Sequence, residues 1–141
     1  MSLIPILLPS TSRFILIGED DLDDQEILQE IFNKLDPSIP LVFVNNGDGV
    51  LNLLETLEDD HLPELIVLDY NMPGMNAAEI LRELMNYPRY ADIPRIIWST
   101  SASETFKKKC LELGATSYQV KPATIHGLTE VATYMLSFCR S

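Results

Sequence analysis

The chain is poor in basic residues and in cysteine. Its 141 residues carry 10 Lys and Arg against 21 Asp and Glu, a net charge of -11, which repels phosphate backbones and anionic lipid surfaces. Nucleic acid is disfavoured as a direct partner. Two cysteines are too few for a disulfide scaffold, and each lies on an apolar helical stripe, Cys110 with Phe106 and Leu113, Cys139 with Met135 and Leu136. Both read as buried free thiols in a reducing cytosol, which places the protein in the cytoplasm. No apolar run approaches the roughly 20 residues a membrane helix needs. The apolar opening, residues 1–9, lacks a basic start and is interrupted by Pro5 and Pro9, so it makes a poor signal peptide. Residues 1–12 read as an N-terminal arm, in which Met1-Ser2-Leu3 is compatible with an expression remnant. Residues 13–141 read as one domain, with no linker to a second.

What the chain does have is 46% hydrophobic residues, enough for a real core. Residues 14–17, 41–44, 65–68, 95–98 and 117–120 are short runs rich in β-branched and aromatic residues, and read as strands. Between them the spacing turns helical: Ile27, Leu28, Ile31, Phe32 and Leu35; Val50, Leu51, Leu54 and Leu57; Ile80, Leu81, Leu84 and Met85; Phe106, Cys110 and Leu113; Leu128 through Cys139. Asp36-Pro37, Tyr87-Pro88 and Leu113-Gly114 supply stop signals. Five strand–helix repeats with little polar alternation predict strands buried on both faces, in a parallel doubly wound α/β sheet.

In such sheets the ligand crevice lies beyond the carboxyl ends of the strands. Glu19, Asp20, Asp69, Ser99 and Lys121 all fall at such ends, and helix periodicity explains none of them. Two like charges about 4 Å apart repel by roughly 4 kcal/mol at an effective dielectric of 20, so clustered carboxylates call for a cation. Mg²⁺ suits an all-oxygen set, and the lack of nearby His or Cys argues against zinc or copper. A carboxylate beside Mg²⁺ and a lysine can attack phosphorus, which makes Asp69 a candidate acyl-phosphate former and Ser99 a candidate donor to a phosphoryl oxygen.

Glu19-Asp20 after the first strand, Leu68-Asp69-Tyr70-Asn71-Met72-Pro73-Gly74-Met75, Ser99 after the fourth strand and Lys121-Pro122 after the fifth together resemble the receiver domain of response regulators, the CheY-like superfamily. The likeness spans residues 13 to about 139. It implies a flavodoxin-like five-stranded sheet of order 2-1-3-4-5 with five helices. It further implies that Asp69 takes a phosphoryl group from a histidine kinase or histidine phosphotransfer protein. Glu19, Asp20, Asp69 and the backbone carbonyl of Asn71 would hold Mg²⁺. Lys121 and Ser99 would contact the phosphoryl group, Ser99 and Tyr118 would form a switch pair, with Tyr118 turning inward on phosphorylation, and Lys121-Pro122 would be a cis peptide. Three positions depart from the usual pattern: Ser99 where Thr is common, Gly18 where a β-branched residue is common, and Asn76-Ala77 in place of Asp-Gly. The connection Tyr87 to Pro94 resembles stand-alone regulators that serve phytochrome-type kinases.

Competing readings stand beside this one. A phosphatase of the haloacid-dehalogenase type also uses a strand-end Asp and Mg²⁺, but wants an acid where Asn71 stands. A flavodoxin-like cofactor binder would need a Gly-rich phosphate cradle. A receiver that serves only as an interaction surface would not need the full acid, lysine and hydroxyl set. The expectation is therefore a signalling protein, not an enzyme toward external substrates, whose output is association with an unnamed downstream protein or with a second copy. Asp21, Asp23, Asp24 and Glu26 are assigned to the helix dipole or to solvent.

Overall fold

The computed structural model describes residues 13–139, so the arm assigned to residues 1–12 lies outside the described residues. Five strands, β1 (Ile15–Gly18), β2 (Leu41–Val44), β3 (Leu65–Asp69), β4 (Arg95–Ser99) and β5 (Ser117–Val120), form one parallel sheet of order β2-β1-β3-β4-β5. The helices between and after them are α1 (Leu22–Leu35), α2 (Gly47–Thr56), α3 (Ala77–Leu84), α4 (Glu104–Glu112) and α5 (Ile125–Leu136). This is the doubly wound α/β fold expected, with every strand's carboxyl end on the same edge.

Strand alternation splits the core into two layers. Ile15, Ile17, Val67, Ile96 and Trp98 face α1 and α5, where Leu28, Phe32, Val131 and Met135 close over them. Leu16, Ile66, Leu68 and Ile97 face the other way, against Val50, Leu54, Ile80, Leu81 and Cys110 of α2, α3 and α4. Only the three central strands carry the full double burial that the apolar runs suggest. β2 is half-buried along its length, and in β5 only Tyr118 is buried, because an edge strand has a neighbour on one side only. Both cysteines are free thiols, Cys110 buried and Cys139 half-buried, and burial pushes each up to about 11.

Packing and helix capping explain two of the three departures, Gly18 and Asn76. A Cβ on Gly18 would stand 2.8 Å from the Met72 methyl carbon and 3.1 Å from Val50, so Met72 fills the space a branched residue would take. Asn76 caps α3: its side chain accepts the Glu79 amide at 2.9 Å, and Glu79 accepts the Asn76 amide at 2.8 Å. This capping box pairs two amides that a helix start leaves without partners. Asn76→Ala is expected to cost about 1 kcal/mol in urea denaturation, with Asn76→Asp near neutral. Equal losses for the two variants would show that the cap does not hold the loop.

Candidate functional site

Two backbone hydrogen bonds carry the sheet one residue past its strands and fix the site. The Glu19 amide donates to Val44 O at 2.9 Å and the Lys121 amide to Ser99 O at 2.7 Å. Asp69 and Ser99 are the last residues of β3 and β4, and Asp69 pairs with Trp98. Glu19, Asp20, Asp69 and Lys121 therefore meet at the carboxyl edge between β1, β3 and β5.

Lys121 lies at the centre. Its ammonium donates to Asp69 Oδ2 at 2.7 Å, Asp24 Oδ2 at 2.8 Å and Glu19 Oε1 at 2.9 Å, and it lies 4.6 Å from the centroid of the Trp98 ring. Burial alone would lower its pKa, but its hydrogen bonds to the three carboxylates outweigh this and hold it well above the usual lysine range. Glu19 is fully buried. Burial pushes its carboxyl up to about 7 against the opposing pull of Lys121 and the Asp21 amide, with Asp69's charge pushing further the same way. Asp69 is 8% exposed, and its Oδ1 accepts the Asn71 amide at 3.1 Å.

One carboxylate oxygen each from Glu19, Asp20 and Asp69 lie within 4.8 Å of one another. Asp20 is the exposed member of the three, so the group has an open side. Three acids, Glu19, Asp24 and Asp69, bond to one lysine, and Asp20 groups with two of them. An all-oxygen, acid-rich and accessible donor set of this kind fits a hard divalent cation.

Sequence reasoning missed Asp24. The acid-rich helix start assigns it to the dipole or to solvent, yet its side chain is tied to Lys121. The true cap of α1 is Asp21, whose carboxylate accepts the Asp23 and Asp24 amides. Periodicity holds the signal, since Asp24 precedes buried Leu28 by one turn and Ile31 by two. Elsewhere, Glu58, Asp60 and His61 also converge at an exposed 3₁₀ turn.

Ser99 is buried, and its Oγ accepts the Ser101 amide at 3.1 Å. Tyr118 already lies inside, 8% exposed, with its hydroxyl donating to Ser101 O at 2.8 Å. Ser99 and Tyr118 thus meet at one residue, Ser101, in the loop to α4. Tyr70, next to Asp69, stacks on Phe106 of α4 at 4.4 Å and 5°. One expectation is corrected. No peptide among the described residues is cis, so Lys121-Pro122 is trans. Trans is the preferred form even before proline by about 0.5–1 kcal/mol, and here the trans chain already brings the Lys121 ammonium to Asp69.

The fold and the acid–lysine edge are those of a two-component receiver. The chain belongs to the response regulator receiver domain family, which matches residues 15–133. It is 28% identical over 125 residues to the two-component response regulator ORR12 of Oryza sativa subsp. japonica, covering 89% of this chain and 99% of that protein. It is 32% identical over 108 residues to the sensory transduction protein LytT of Oceanobacillus iheyensis, covering 77% of this chain and 42% of LytT. The Mn²⁺-bound form of response regulator Rcp1 superposes with a TM-score of 0.79 at 26% identity, covering 89% and 93% of the two chains. The phosphorylated cyanobacterial phytochrome response regulator RcpA does so with 0.80 at 26%, covering 89% and 92%. The chain is therefore a receiver of two-component signalling. No helix among the described residues is long and apolar enough to cross a membrane.

Proposed function

We propose that Asp69 is the phosphoacceptor, charged by a histidine kinase or histidine phosphotransfer protein, and that the phosphorylated form presents an altered surface to a partner. The observation that carries this is the Lys121 ammonium on Asp69 Oδ2, beside a buried Glu19 and an exposed Asp20. An Asp69 carboxylate oxygen attacks phosphorus, the new O–P bond forms as the donor's bond to phosphorus breaks, and the electron pair leaves with the donor. Lys121 neutralises charge on the phosphoryl oxygens, and buried Glu19 keeps that lysine in place. Glu19, Asp20, Asp69 and the Asn71 carbonyl would hold Mg²⁺. When bound, the metal supplies charge neutralisation for the incoming phosphoryl group. The Mn²⁺-bound Rcp1 and phosphorylated RcpA relatives support both parts of this reading.

The readout runs through Ser101. Ser99 and Tyr118 are fastened to opposite sides of that residue, so a Ser99 hydroxyl drawn to phosphate releases one fastening and shifts the loop into α4. The surface that changes is then α4, β5 and α5. The likeness to RcpA, a phytochrome response regulator, and to RPA3017, a response regulator in red light signalling of R. palustris, supports a phytochrome-type kinase as donor, and the two free thiols fit a reducing, cytoplasmic setting.

Incubation with Mg²⁺ and acetyl phosphate is expected to add the mass of one phosphoryl group, and Asp69→Asn to abolish the gain. Mg²⁺ should also raise the thermal midpoint of the wild type, by the usual coupling of a ligand to the folded state, and leave Asp20→Asn unmoved. Undiminished uptake by Asp69→Asn would remove the phosphoacceptor assignment. Turnover of an external phosphate ester would mark an enzyme instead.

A further inference from the structure

The Lys121 ammonium has three N–H donors, and three carboxylates already take them. This matters at the moment of transfer. The Asp69 carboxylate and the donor's phosphoryl group then stand in the site together, and each needs a share of the same ammonium. Room for a phosphoryl oxygen on Lys121 requires one of the three acids to let go.

The three differ in what release would cost. Glu19 is fully buried, has no water to turn to, and keeps the lysine beside the nucleophile in the proposed mechanism. Asp69 is the nucleophile and must stay. Asp24 has a third of its side chain exposed, against none for Glu19 and 11% for Asp69, so it can rehydrate once released. It sits in the first turn of α1, where the positive end of the helix also eases its charge. We propose that Asp24 is a positioning residue that occupies the third donor of Lys121 in the unphosphorylated protein and slows phosphoryl uptake until it is displaced. The proposal rests on the reading of Asp69 as phosphoacceptor.

It also separates Asp24 from its acidic neighbours. Asp23 is equally close in sequence and exposed, but among the described residues its side chain is not on Lys121. Neutralising Asp23 therefore reports the general loss of one negative charge near an anionic donor. Neutralising Asp24 reports that loss plus the freed lysine donor.

The test measures the initial rate of phosphoryl uptake from acetyl phosphate with Mg²⁺, for wild type, Asp24→Asn, Asp24→Ala and Asp23→Asn. Both Asp24 variants are expected to be faster than wild type by roughly fivefold, the factor set by one partly exposed ion pair of about 1 kcal/mol. Asp23→Asn is expected to change the rate less than twofold. A second readout, the urea midpoint in EDTA without metal or donor, is expected to fall for Asp24→Asn and to stay put for Asp23→Asn, because only the first breaks a tie to β5. Asp24 variants no faster than Asp23→Asn, or an Asp24→Asn midpoint equal to wild type, would overturn the proposal. Absence of uptake by the wild type would instead overturn the phosphoacceptor reading, so the two failures are distinguishable.

Discussion

Lys121→Met is expected to lower the free energy of unfolding by about 3–5 kcal/mol, the usual loss when one partner of a buried ion pair is removed. The reason is Glu19. It is fully buried, its Oε1 is 2.9 Å from the lysine, and Asp69 stands beside the same ammonium at 2.7 Å. Methionine fills the volume over Trp98 but brings no charge, so two buried acids are left facing each other. The double variant Glu19→Gln/Lys121→Met should recover at least half of the loss, because glutamine leaves no uncompensated buried charge and the two effects are coupled through one contact. Neither variant is expected to take up phosphate at the wild-type rate. Urea denaturation of the three proteins decides the matter. A single variant as stable as wild type would mean that Lys121 does not neutralise Glu19.

Gly47→Ala is expected to be nearly as damaging, at about 3 kcal/mol, the upper end for overpacking. Gly47 opens α2, and its amide donates to Pro73 O at 3.0 Å, tying that helix to the loop after Asp69. A Cβ there would run into the Met75 carbonyl oxygen and lie 2.8 Å from its carbon. The obstacle is backbone, which cannot swing aside as a flexible side chain can. Gly114→Ala is the control. Its φ is +98°, but no atom lies within 4 Å of the added carbon, so only the dihedral cost of about 1–2 kcal/mol applies. Urea midpoints that rank Gly114→Ala as the more damaging would mean that the α2 start does not press on the loop at Met75.

Much of this architecture is legible along the chain. The runs at 65–68 and 96–98 are apolar without alternation, and both lie in central strands with every residue buried, Arg95 included. The run at 41–44 looks the same, so only its neighbours in the sheet make it an edge, whereas Ser117-Tyr118-Gln119-Val120 alternates polar and apolar residues as a half-exposed strand does. The site shows the same division. Asp69 and Lys121 stand out because a charged residue ending an apolar run has no role in local periodicity. Asp24 does not, because it sits in an acid-rich helix start where a dipole explanation is sufficient. The resemblance implies that Tyr118 turns inward on phosphorylation, and the fold shows its hydroxyl donating to the Ser101 carbonyl, a contact no local pattern announces.

Local pattern and side-chain chemistry were enough to establish five strand–helix repeats, the acids and lysine at strand ends, and the receiver family they resemble. Those properties are written in neighbouring residues, where a period of two or 3.6 and a change from apolar to charged can be read directly. Which acids share the lysine could be settled only in three dimensions. Lys121 is separated from Glu19 by 102 residues, from Asp24 by 97 and from Asp69 by 52. The choice of Asp24 over Asp23 depends on how α1 leaves β1 and which face of its first turn looks across to β5. Hydrogen bonds that join strands so far apart along the chain become visible only when the sheet brings their ends together.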